Sequence, residues 1–444
     1  MSLDGALTLC YKFAENKDLR PYANLGPVLS IVRATIGTYY DSSGILQTAS
    51  SGVARFDHNP ATGASLGLLV EEARTNICLQ SEDFTTTWVE GGNSLTIVGN
   101  ESVAPDGNTT ADKIIDDSST GTGNVFAFQN LTFAINTVFT ASIYAEKDGL
   151  NWAYIKIASL GALVINQSYD LINGVVGTAS AGVSGSAIED VGNGWFRCSL
   201  TFTSDAADTA GSFQIFAADG DSDVTVDLDG TSSIFVWGAQ LEVGNFPTSY
   251  IPTTTIEVTR DKEKIQTTDL SWLNTTVGTM FAEFTAGWIA PEPNDSRRVW
   301  TLSDQSADNR ITMFENIDLG VFDTQVNITD ATVAQGTTVD DTNYGDKQNV
   351  KHAYAWATND LAAVTNGRTA IVDATASIPT GFTEFGVGQS ATDIKQLNGH
   401  IAEIRYYNER KNNQFLEDLS NGLISEFAPR HGGMLRTHAN VRLG

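Results

Sequence analysis

Long hydrophobic runs are absent from this 444-residue chain, whose mean hydropathy is -0.12. No stretch approaches the ~20 consecutive apolar residues that a membrane-spanning helix needs, so we expect no membrane insertion. The amino end lacks a basic start followed by an apolar run, and Asp4 falls where a signal peptide would tolerate it poorly. The sequence therefore predicts a protein that is made in the cytoplasm without a standard secretion signal.

Basic residues are scarce, since 26 Lys and Arg stand against 53 Asp and Glu, for a formal net charge of -27. Because phosphate recognition depends on Lys and Arg replacing counterions, this charge excludes sequence-independent nucleic-acid binding. The exception is the carboxyl end, residues 427–444, which contains Arg430, Arg436 and Arg442 but no acidic residue. This basic tail is predicted to be either a frayed terminus or a peptide that docks on an acidic surface of a neighbouring subunit.

Cysteine and histidine are also sparse. The three cysteines are Cys10, Cys78 and Cys198. This odd and sparse set predicts buried thiols and no disulfide framework. The five histidines show no HxxxH or similar spacing, so the sequence does not support a zinc site.

Turn clusters of Gly, Ser, Thr, Asn and Asp separate short runs in which apolar and polar residues alternate. Such alternation is typical of strands with one buried face, which must pack against a second sheet. Runs of this kind occur on both sides of residue 255; they begin at Phe139, Trp152, Trp195, Ser212, Ser233, Thr279, Val299, Ala353, Ala370 and Ile401. We predict an all-β protein of two tandem β-sandwich (jelly-roll) domains.

The predicted organisation has four parts. Residues 1–80 form a small N-terminal β-hairpin segment that packs on the first sandwich, with a turn at residues 41–44. The first sandwich is 81–252 and the second is 253–426, followed by the tail. Pro252 marks the junction, because proline ends ladder pairing and the threonines after it favour an extended linker.

One short C-terminal helix is predicted, around Asn413 to Leu423. Its apolar face would consist of Phe415, Leu416, Leu419 and Leu423.

Several segments resemble known virion proteins. Residues 34–49 (ATIGTYYDSSGILQTA), 55–58 (RFDH) and 67–76 (GLLVEEARTN) resemble the opening of bacteriophage and prophage structural proteins with a head spike fibre domain. The carbohydrate-binding-module-like jelly roll that follows in those proteins is similar to residues 194–200 (GWFRCSL), 236–242 (VWGAQLE) and 248–253 (TSYIPT). The last domain resembles a concanavalin A-like or laminin-G-like sandwich more loosely, at residues 351–356, 366–368 and 397–407.

The resemblance implies a virion component, a spike or tail fibre, that attaches to host-surface carbohydrate and has other virion proteins as partners. It also implies a homo-oligomer. A trimer would match many fibres, although no heptad or collagen-like repeat is present. Two alternatives stay open: a particle-borne polysaccharide depolymerase or glycosidase, and a ligand-free structural decoration or connector.

Motifs for catalysis are missing. Residues 63–67 fit the G-x-S-x-G nucleophile pattern around Ser65, but a turn precedes them and a strand-like run follows where a helix is needed. A glycosidase needs two carboxylates about 5–10 Å apart across the sugar. Glu71 and Glu72 are adjacent, so on a strand they would point to opposite faces. We predict that the protein is not an enzyme.

Sugar recognition uses flat aromatic faces together with polar side chains. Trp88 and Trp152 border Gly- and Asn-rich loops and are predicted platforms in the first sandwich, whereas Trp195 and Trp237 lie in strand runs and are expected in the core. In the second sandwich the candidates are the loop residues Trp288 and Tyr344.

Asp219, Asp221 and Asp223 alternate within one loop, as hard cations favour. The loop departs from the EF-hand pattern because Val224 occupies the position of the glycine. It is interpreted either as a structural calcium site, which jelly-roll carbohydrate modules often hold, or as a solvated acidic turn. No other cofactor is predicted.

Overall fold

A computed structural model of the chain describes residues 6–92, 95–285, 295–318, 321–340, 348–392 and 395–424. Within these ranges the chain forms 33 β-strands, two short α-helices and one 3-10 turn. None of the helices found there is long and apolar enough to cross a membrane. The all-β prediction is confirmed.

The helices are α1 (Phe13–Asn16) and α2 (Asn413–Ser420), and the 3-10 turn is Tyr22–Asn24. The strands, in chain order, are β1 (Leu7–Lys12), β2 (Ser30–Val32), β3 (Gly37–Tyr40), β4 (Leu46–Ala49), β5 (Phe56–His58), β6 (Ser65–Val70), β7 (Arg74–Asn76), β8 (Val89–Gly91), β9 (Leu95–Val103), β10 (Thr109–Asp116), β11 (Thr122–Gly123), β12 (Val125–Thr132), β13 (Val138–Lys147), β14 (Trp152–Ala158), β15 (Ile165–Asp170), β16 (Val175–Ala179), β17 (Val183–Asp190), β18 (Trp195–Thr203), β19 (Ala210–Ala218), β20 (Val226–Asp227), β21 (Ser233–Val243), β22 (Val258–Arg260), β23 (Lys264–Thr267), β24 (Gly278–Thr285), β25 (Asp295–Ser303), β26 (Arg310–Asp318), β27 (Val321–Asp330), β28 (Val333–Asp340), β29 (Asn349–Ala357), β30 (Asp360–Thr365), β31 (Ile371–Asp373), β32 (Glu384–Val387) and β33 (Gly399–Tyr407).

The first sandwich consists of two six-stranded antiparallel sheets. Sheet I has the order β17-β18-β13-β21-β10-β9, and sheet II has the order β16-β15-β14-β19-β12-β8. Alternate residues of each strand fill the core between them, which includes Ile143, Ile155, Cys198 and Ile215. All three cysteines are buried thiols, as predicted.

The second sandwich is formed by sheets III and IV. Sheet III has the order β31-β30-β29-β24-β33-β6-β5, and β1 also pairs with β33. Sheet IV has the order β2-β23-β32-β25-β26-β27-β28. Trp300, Trp356 and Tyr406 are fully buried between these sheets, and the rings of Trp356 and Tyr406 are 5.6 Å apart.

The N-terminal segment differs from the expectation that it packs on the first sandwich. The hairpin β3–β4 and residues 76–79 do lie against that sandwich, whereas β1, β2, β5 and β6 are strands of sheets III and IV. Leu9 of β1 lies opposite Tyr406 of β33, a pairing between residues nearly the whole chain apart. Local sequence patterns identify strands but not such distant partners, so the error is one of pairing.

The first sandwich is therefore inserted between two parts of the second. The chain enters it through β7 and returns through β22, and the two crossings pair antiparallel, with Val258 opposite Asn76. Pro252 lies on the return path between β21 and β22.

Helix α2 begins after Asn412, whose side chain accepts a hydrogen bond from the Phe415 amide. Leu416 and Leu419 are buried, as predicted, but Leu423 is 68% exposed. The cause is Gly422, whose φ of +74° turns the chain out of the helix before Leu423 can join the apolar face.

Candidate functional site

The outer face of sheet I is covered by other parts of the chain. Trp195, Trp237 and Tyr144 project from this face and form a closed cluster with Leu46 of the hairpin and Tyr250. Trp195 and Trp237 are 2% and 1% exposed, so both are buried as expected, although in this outer cluster and not between the two sheets. The face is closed to large ligands.

Polar residues of the segments 67–76, 236–242 and 248–253 hold the covering part of the chain against the outer face of sheet I. The Asn76 side-chain amide donates to the carbonyls of Ala239 and Ile251, at 3.0 and 2.9 Å. Glu242 is fully buried and accepts hydrogen bonds from the amide and the hydroxyl of Thr248, each at 2.8 Å. Residues 236–242 and 248–253 therefore hold each other in place, a structural role.

Five buried charged residues, here called the joint cluster, lie where the two sandwiches meet: Arg33, Arg55, Glu71, Arg260 and Glu263. Glu263 Oε1 lies 2.9 Å from Arg33 Nη1 and 2.6 Å from Arg55 Nη2. Arg55 Nη2 is also 2.8 Å from Glu71 Oε2, which contacts Arg260. Each carboxylate is therefore shared by two guanidinium groups.

Electrostatics favour the charged forms of Glu71 and Arg55 in the joint cluster, whereas burial lowers the pKa of Arg33. Burial by itself would raise the pKa of Glu71, but Arg260 and Arg55, together with hydrogen bonds from Ser249, hold the pKa of that carboxyl well below its usual range. Burial would likewise lower the pKa of Arg55, but Glu263 and Glu71 raise it. Glu71 and Arg55 are therefore charged members of a fixed ionic joint.

The outer face of sheet II carries a row of aromatic residues across three neighbouring strands. Tyr154 of β14 lies opposite Phe216 of β19, and Phe216 lies opposite Phe126 of β12. The Phe126 and Phe216 rings are stacked, with centroids 4.3 Å apart, and the Tyr154 ring meets Phe216 edge-on at 5.5 Å. Phe126 and Tyr154 are half-buried, whereas Phe216 beneath them is 3% exposed.

A polar row runs beside the aromatic one. The polar row is Asn166, Lys156 and Gln214, at successive opposed positions on β15, β14 and β19, and Phe128 of β12 continues the line. These four side chains are half-buried. We call the two rows, together with Trp152, the aromatic face.

Glycines at the edge strands accommodate the rings of the aromatic face. A Cβ on Gly91 of β8 would lie 2.2 Å from the Phe126 ring, and one on Gly177 of β16 would lie 2.9 Å from the Trp152 ring. Only a residue without a side chain allows the rings to lie this close to the backbone.

The structure shows where two of the four predicted aromatic platforms, Trp152 and Trp88, lie. Trp152 is half-buried and lies at one end of the aromatic face, where it opens β14. Trp88 is only 4% exposed, so its prediction as a platform is corrected. Its ring packs on Phe84 and Phe213, and its indole N–H donates to the Gln80 carbonyl at 3.1 Å. Trp288 and Tyr344 lie outside the described residues, as does the basic tail.

The loop with Asp219, Asp221 and Asp223 does not gather its carboxylates. Asp221 accepts from the amide and the hydroxyl of Thr178, each at 2.7 Å, and these bonds lower its pKa. Asp223 accepts from the Thr225 amide at 3.0 Å. Across the described ranges no group of three or more His, Cys, Asp or Glu could hold a metal ion, so the calcium interpretation is corrected.

Tyr154, Phe126 and Phe216 were missed by sequence reasoning. The signal was present in residues 125–128 (VFAF), where both alternating positions are apolar and a single buried face cannot account for both. Which of the two faces is open depends on the second sheet.

Comparison with known proteins gives distant structural likenesses. No protein-family model matches the chain, and no curated protein matches it. Among solved structures, the CBM40 of the Ruminococcus gnavus IT-sialidase bound to α2,6-sialyllactose covers 33% of this chain and 84% of its own, at 14% identity and a TM-score of 0.26.

Two further solved structures are similar over more of the chain. Domains LG4-5 of the mouse laminin α1 chain cover 63% of this chain and 84% of their own, at 11% identity and a TM-score of 0.22. The CBM22-1–CBM22-2 tandem of Paenibacillus barcinonensis Xyn10C covers 75% and 95%, at 9% identity and a TM-score of 0.22. At these scores the likenesses carry no argument about ligands.

Proposed function

We propose that this protein is a glycan-binding protein and that the aromatic face is its binding surface. The observation that carries the proposal is the strand register, which sets the row of Tyr154, Phe216 and Phe126 beside the polar row of Asn166, Lys156 and Gln214. Sugar rings stack their apolar faces on aromatic side chains, while amide and ammonium groups bond their hydroxyls. Both kinds of contact are available side by side.

The dimensions suit an extended sugar chain. Neighbouring strands lie about 4.8 Å apart, so Tyr154 and Phe126, two strands apart, are separated by about 10 Å across the sheet. Trp152 extends the surface by one row toward Asp221, whose carboxylate lies beside it; both come within 3 Å of the point where a Cβ on Gly177 would lie. A shallow surface of this length can follow several sugar units.

The finer proposal is a virion protein, a spike or fibre without enzymatic activity that attaches a phage-like particle to host-surface carbohydrate as an oligomer. Its support is the resemblance of residues 34–76 and 194–253 to virion proteins. In such a protein a rigid joint between the sandwiches, as the joint cluster provides, would keep the binding surface in a constant orientation. Labelling of purified particles with an antibody against this chain tests the location.

Glycan binding is tested by an array of bacterial capsule, lipopolysaccharide and host-type oligosaccharides, followed by calorimetry on the best ligand. Tyr154→Ala and Phe126→Ala should each weaken binding about tenfold, because an aromatic contact contributes about 0.5–1.5 kcal/mol beyond its buried area. Gly91→Ala should weaken it as well, since its methyl group displaces Phe126. The matched control is Phe235→Ala, a half-buried phenylalanine on sheet I.

Three other outcomes of these experiments would contradict the proposal or a part of it. A blank array for a folded protein contradicts the proposal and favours the ligand-free connector. Release of reducing sugar from the bound glycan favours the depolymerase. Equal losses in Phe235→Ala and Tyr154→Ala would show that binding does not use the aromatic face.

A further inference from the structure

Lys156 is the only basic residue in the six strands of sheet II. It lies in β14, between β15 and β19. Ile155 and Ile157 belong to the core of the first sandwich, so Lys156 points to the outer side of the sheet, as Tyr154 does. A lysine on an edge strand can protect against aggregation, but β14 is paired on both sides, so Lys156 does not have that role.

The Lys156 side chain has no partner in the part of the chain that the structure describes. No ion pair, side-chain hydrogen bond or ring contact connects it to a described residue. Lys12, Lys113 and Lys351, in contrast, each pair with a carboxylate. In a chain with 53 acidic and 26 basic side chains, a half-buried ammonium group without a carboxylate beside it is available to an external anion.

The two acidic residues in the strands of sheet II lie far from Lys156 and have other partners. Asp170 lies opposite Trp152, about 13 Å from Lys156 along β14, and accepts backbone hydrogen bonds at 2.8 and 3.0 Å. Glu90 lies on β8, three strands from β14 or about 14 Å away, and accepts a backbone hydrogen bond at 3.3 Å. Neither carboxylate neutralises the cation.

Two amide side chains lie beside Lys156, one on each neighbouring strand. Asn166 is half-buried, and its side chain makes no hydrogen bond to a described residue. Gln214 Nε2 donates to the Ser212 hydroxyl at 3.0 Å and has a second hydrogen to donate. An ammonium group has three donors, and a carboxylate accepts from several donors at once. The polar row therefore offers the donors that a carboxylate uses.

We propose that the aromatic face binds a glycan that carries a sugar carboxylate, such as a uronic acid, and that this carboxylate accepts hydrogen bonds from Lys156. The inference rests on the proposed function and names the class of sugar. Tyr154 and Lys156 are two residues apart on the same side of β14, about 6.6 Å along the strand. A sugar stacked on Tyr154 thus directs a ring substituent toward Lys156. A hydrogen bond between two charged groups is stronger than a neutral one.

The opposite end of the aromatic face disfavours an anion. The Asp221 carboxylate lies beside the Trp152 ring, since both come within 3 Å of the point where a Cβ on Gly177 would lie. The acidic unit therefore lies at the Lys156 end and a neutral unit at the Trp152 end. With one cation on the face and a net charge of -27 on the chain, a densely charged polymer is not favoured.

The test compares acidic oligosaccharides with their neutral counterparts. Oligosaccharides of hyaluronan, alginate, pectin and polysialic acid are titrated into the full chain by calorimetry, and so are the same oligosaccharides after chemical reduction of each carboxyl group to a hydroxymethyl group. The acidic form of the best ligand should bind about fivefold more tightly than its reduced form, as expected for one partly exposed charge contact.

Variants of Lys156 assign this preference to the side chain. Lys156→Gln should weaken binding of the acidic form about fivefold and leave the reduced form within about twofold of the wild type. Lys156→Arg keeps the charge and should retain the preference for the acidic form. The matched control is Lys147→Gln, which changes the net charge equally at an exposed position on sheet I and should have no effect.

Tyr154→Ala separates the failure of this inference from that of the proposed function. If neither form of any oligosaccharide binds, or if Tyr154→Ala binds both forms normally, the aromatic face is not the site and both proposals fail. If Tyr154→Ala weakens binding but the reduced form binds as tightly as the acidic one, or Lys156→Gln weakens both forms equally, only the inference is overturned. The comparison of the two ligand forms needs no variant, so it decides even if Lys156→Gln does not fold.

Discussion

Replacing Glu263 with glutamine should destabilise the second sandwich strongly. Glu263 is fully buried; its Oε1 contacts Arg33 and Arg55, and its Oε2 accepts from the Glu71 amide at 3.0 Å. Glutamine keeps the shape but removes the negative charge, so the three buried arginines of the joint cluster are left with one carboxylate, that of Glu71. Removing one partner of a buried ion pair costs about 3–5 kcal/mol, because the remaining charge stays desolvated and uncompensated.

Thermal unfolding and urea titration, followed by tryptophan fluorescence, measure this loss. Trp300 and Trp356 report on the second sandwich, because both lie in its core. For a domain of this size each kcal/mol lowers Tm by about 2–4 °C, so the transition should fall by about 6–20 °C. The control is Glu283→Gln, which breaks a partly exposed pair with Lys351 at 3.7 Å and should cost less than about 1 kcal/mol.

The reasoning is refuted if Glu263→Gln costs no more than the Glu283→Gln control. That result would mean that the three guanidinium groups are solvated by water in the joint, and that the cluster does not hold the sandwiches together.

Three further predictions concern stability. The pKa of Glu71 is lower in the fold than the ~4.3 of an unfolded glutamate, so the stability that the Glu71 carboxylate gives the fold is complete above that pH and is lost as the pH falls. The urea midpoint should therefore drop less between pH 7 and pH 3 in Glu71→Gln than in the wild type. Gly67→Ala should lower the free energy of unfolding by more than about 1 kcal/mol in urea titration, because φ is +99° and the new Cβ would lie 2.2 Å from the Ile401 carbonyl oxygen. The control is Gly52→Ala, at an exposed glycine whose Cβ would meet no neighbouring atom, and an equal loss in the two variants would contradict the prediction. Millimolar calcium should produce neither heat in calorimetry nor a shift in Tm, because Asp221 is bonded to Thr178 and Asp223 to Thr225, and the described residues hold no group of carboxylates that could bind the ion. A calcium-dependent Tm that Asp221→Asn abolishes would restore the metal site.

Much of the candidate site could not be read from the sequence, for reasons that its residues show. Trp88 and Trp152 have similar loop surroundings, yet the first is buried against Phe84 and the second lies half-buried at the edge of sheet II. The difference arises from where the neighbouring strands run. Phe126 and Tyr154 belong to runs already recognisable as strands or apolar segments, but their common row exists only through the register of β12, β19 and β14.

Local chemistry determined what each segment of this chain becomes. Period-two alternation and Gly-, Asn- and Asp-rich turns are enough to specify short strands, because they act between near neighbours. Low cysteine content and sparse basic charge likewise restrict the protein class without reference to any contact. The hairpin turn at residues 41–44 and the start of α2 belong to this group, as do the buried thiols.

Tertiary structure alone decided which strands meet and which faces stay open. Backbone pairing is nearly indifferent to sequence, so the union of β1 with β33 and the gathering of the joint cluster both depend on burying faces of residues far apart in the chain. That arrangement covers sheet I and leaves the aromatic face of sheet II open. Each of these surfaces is a property of the assembled sheets, and none belongs to a single strand.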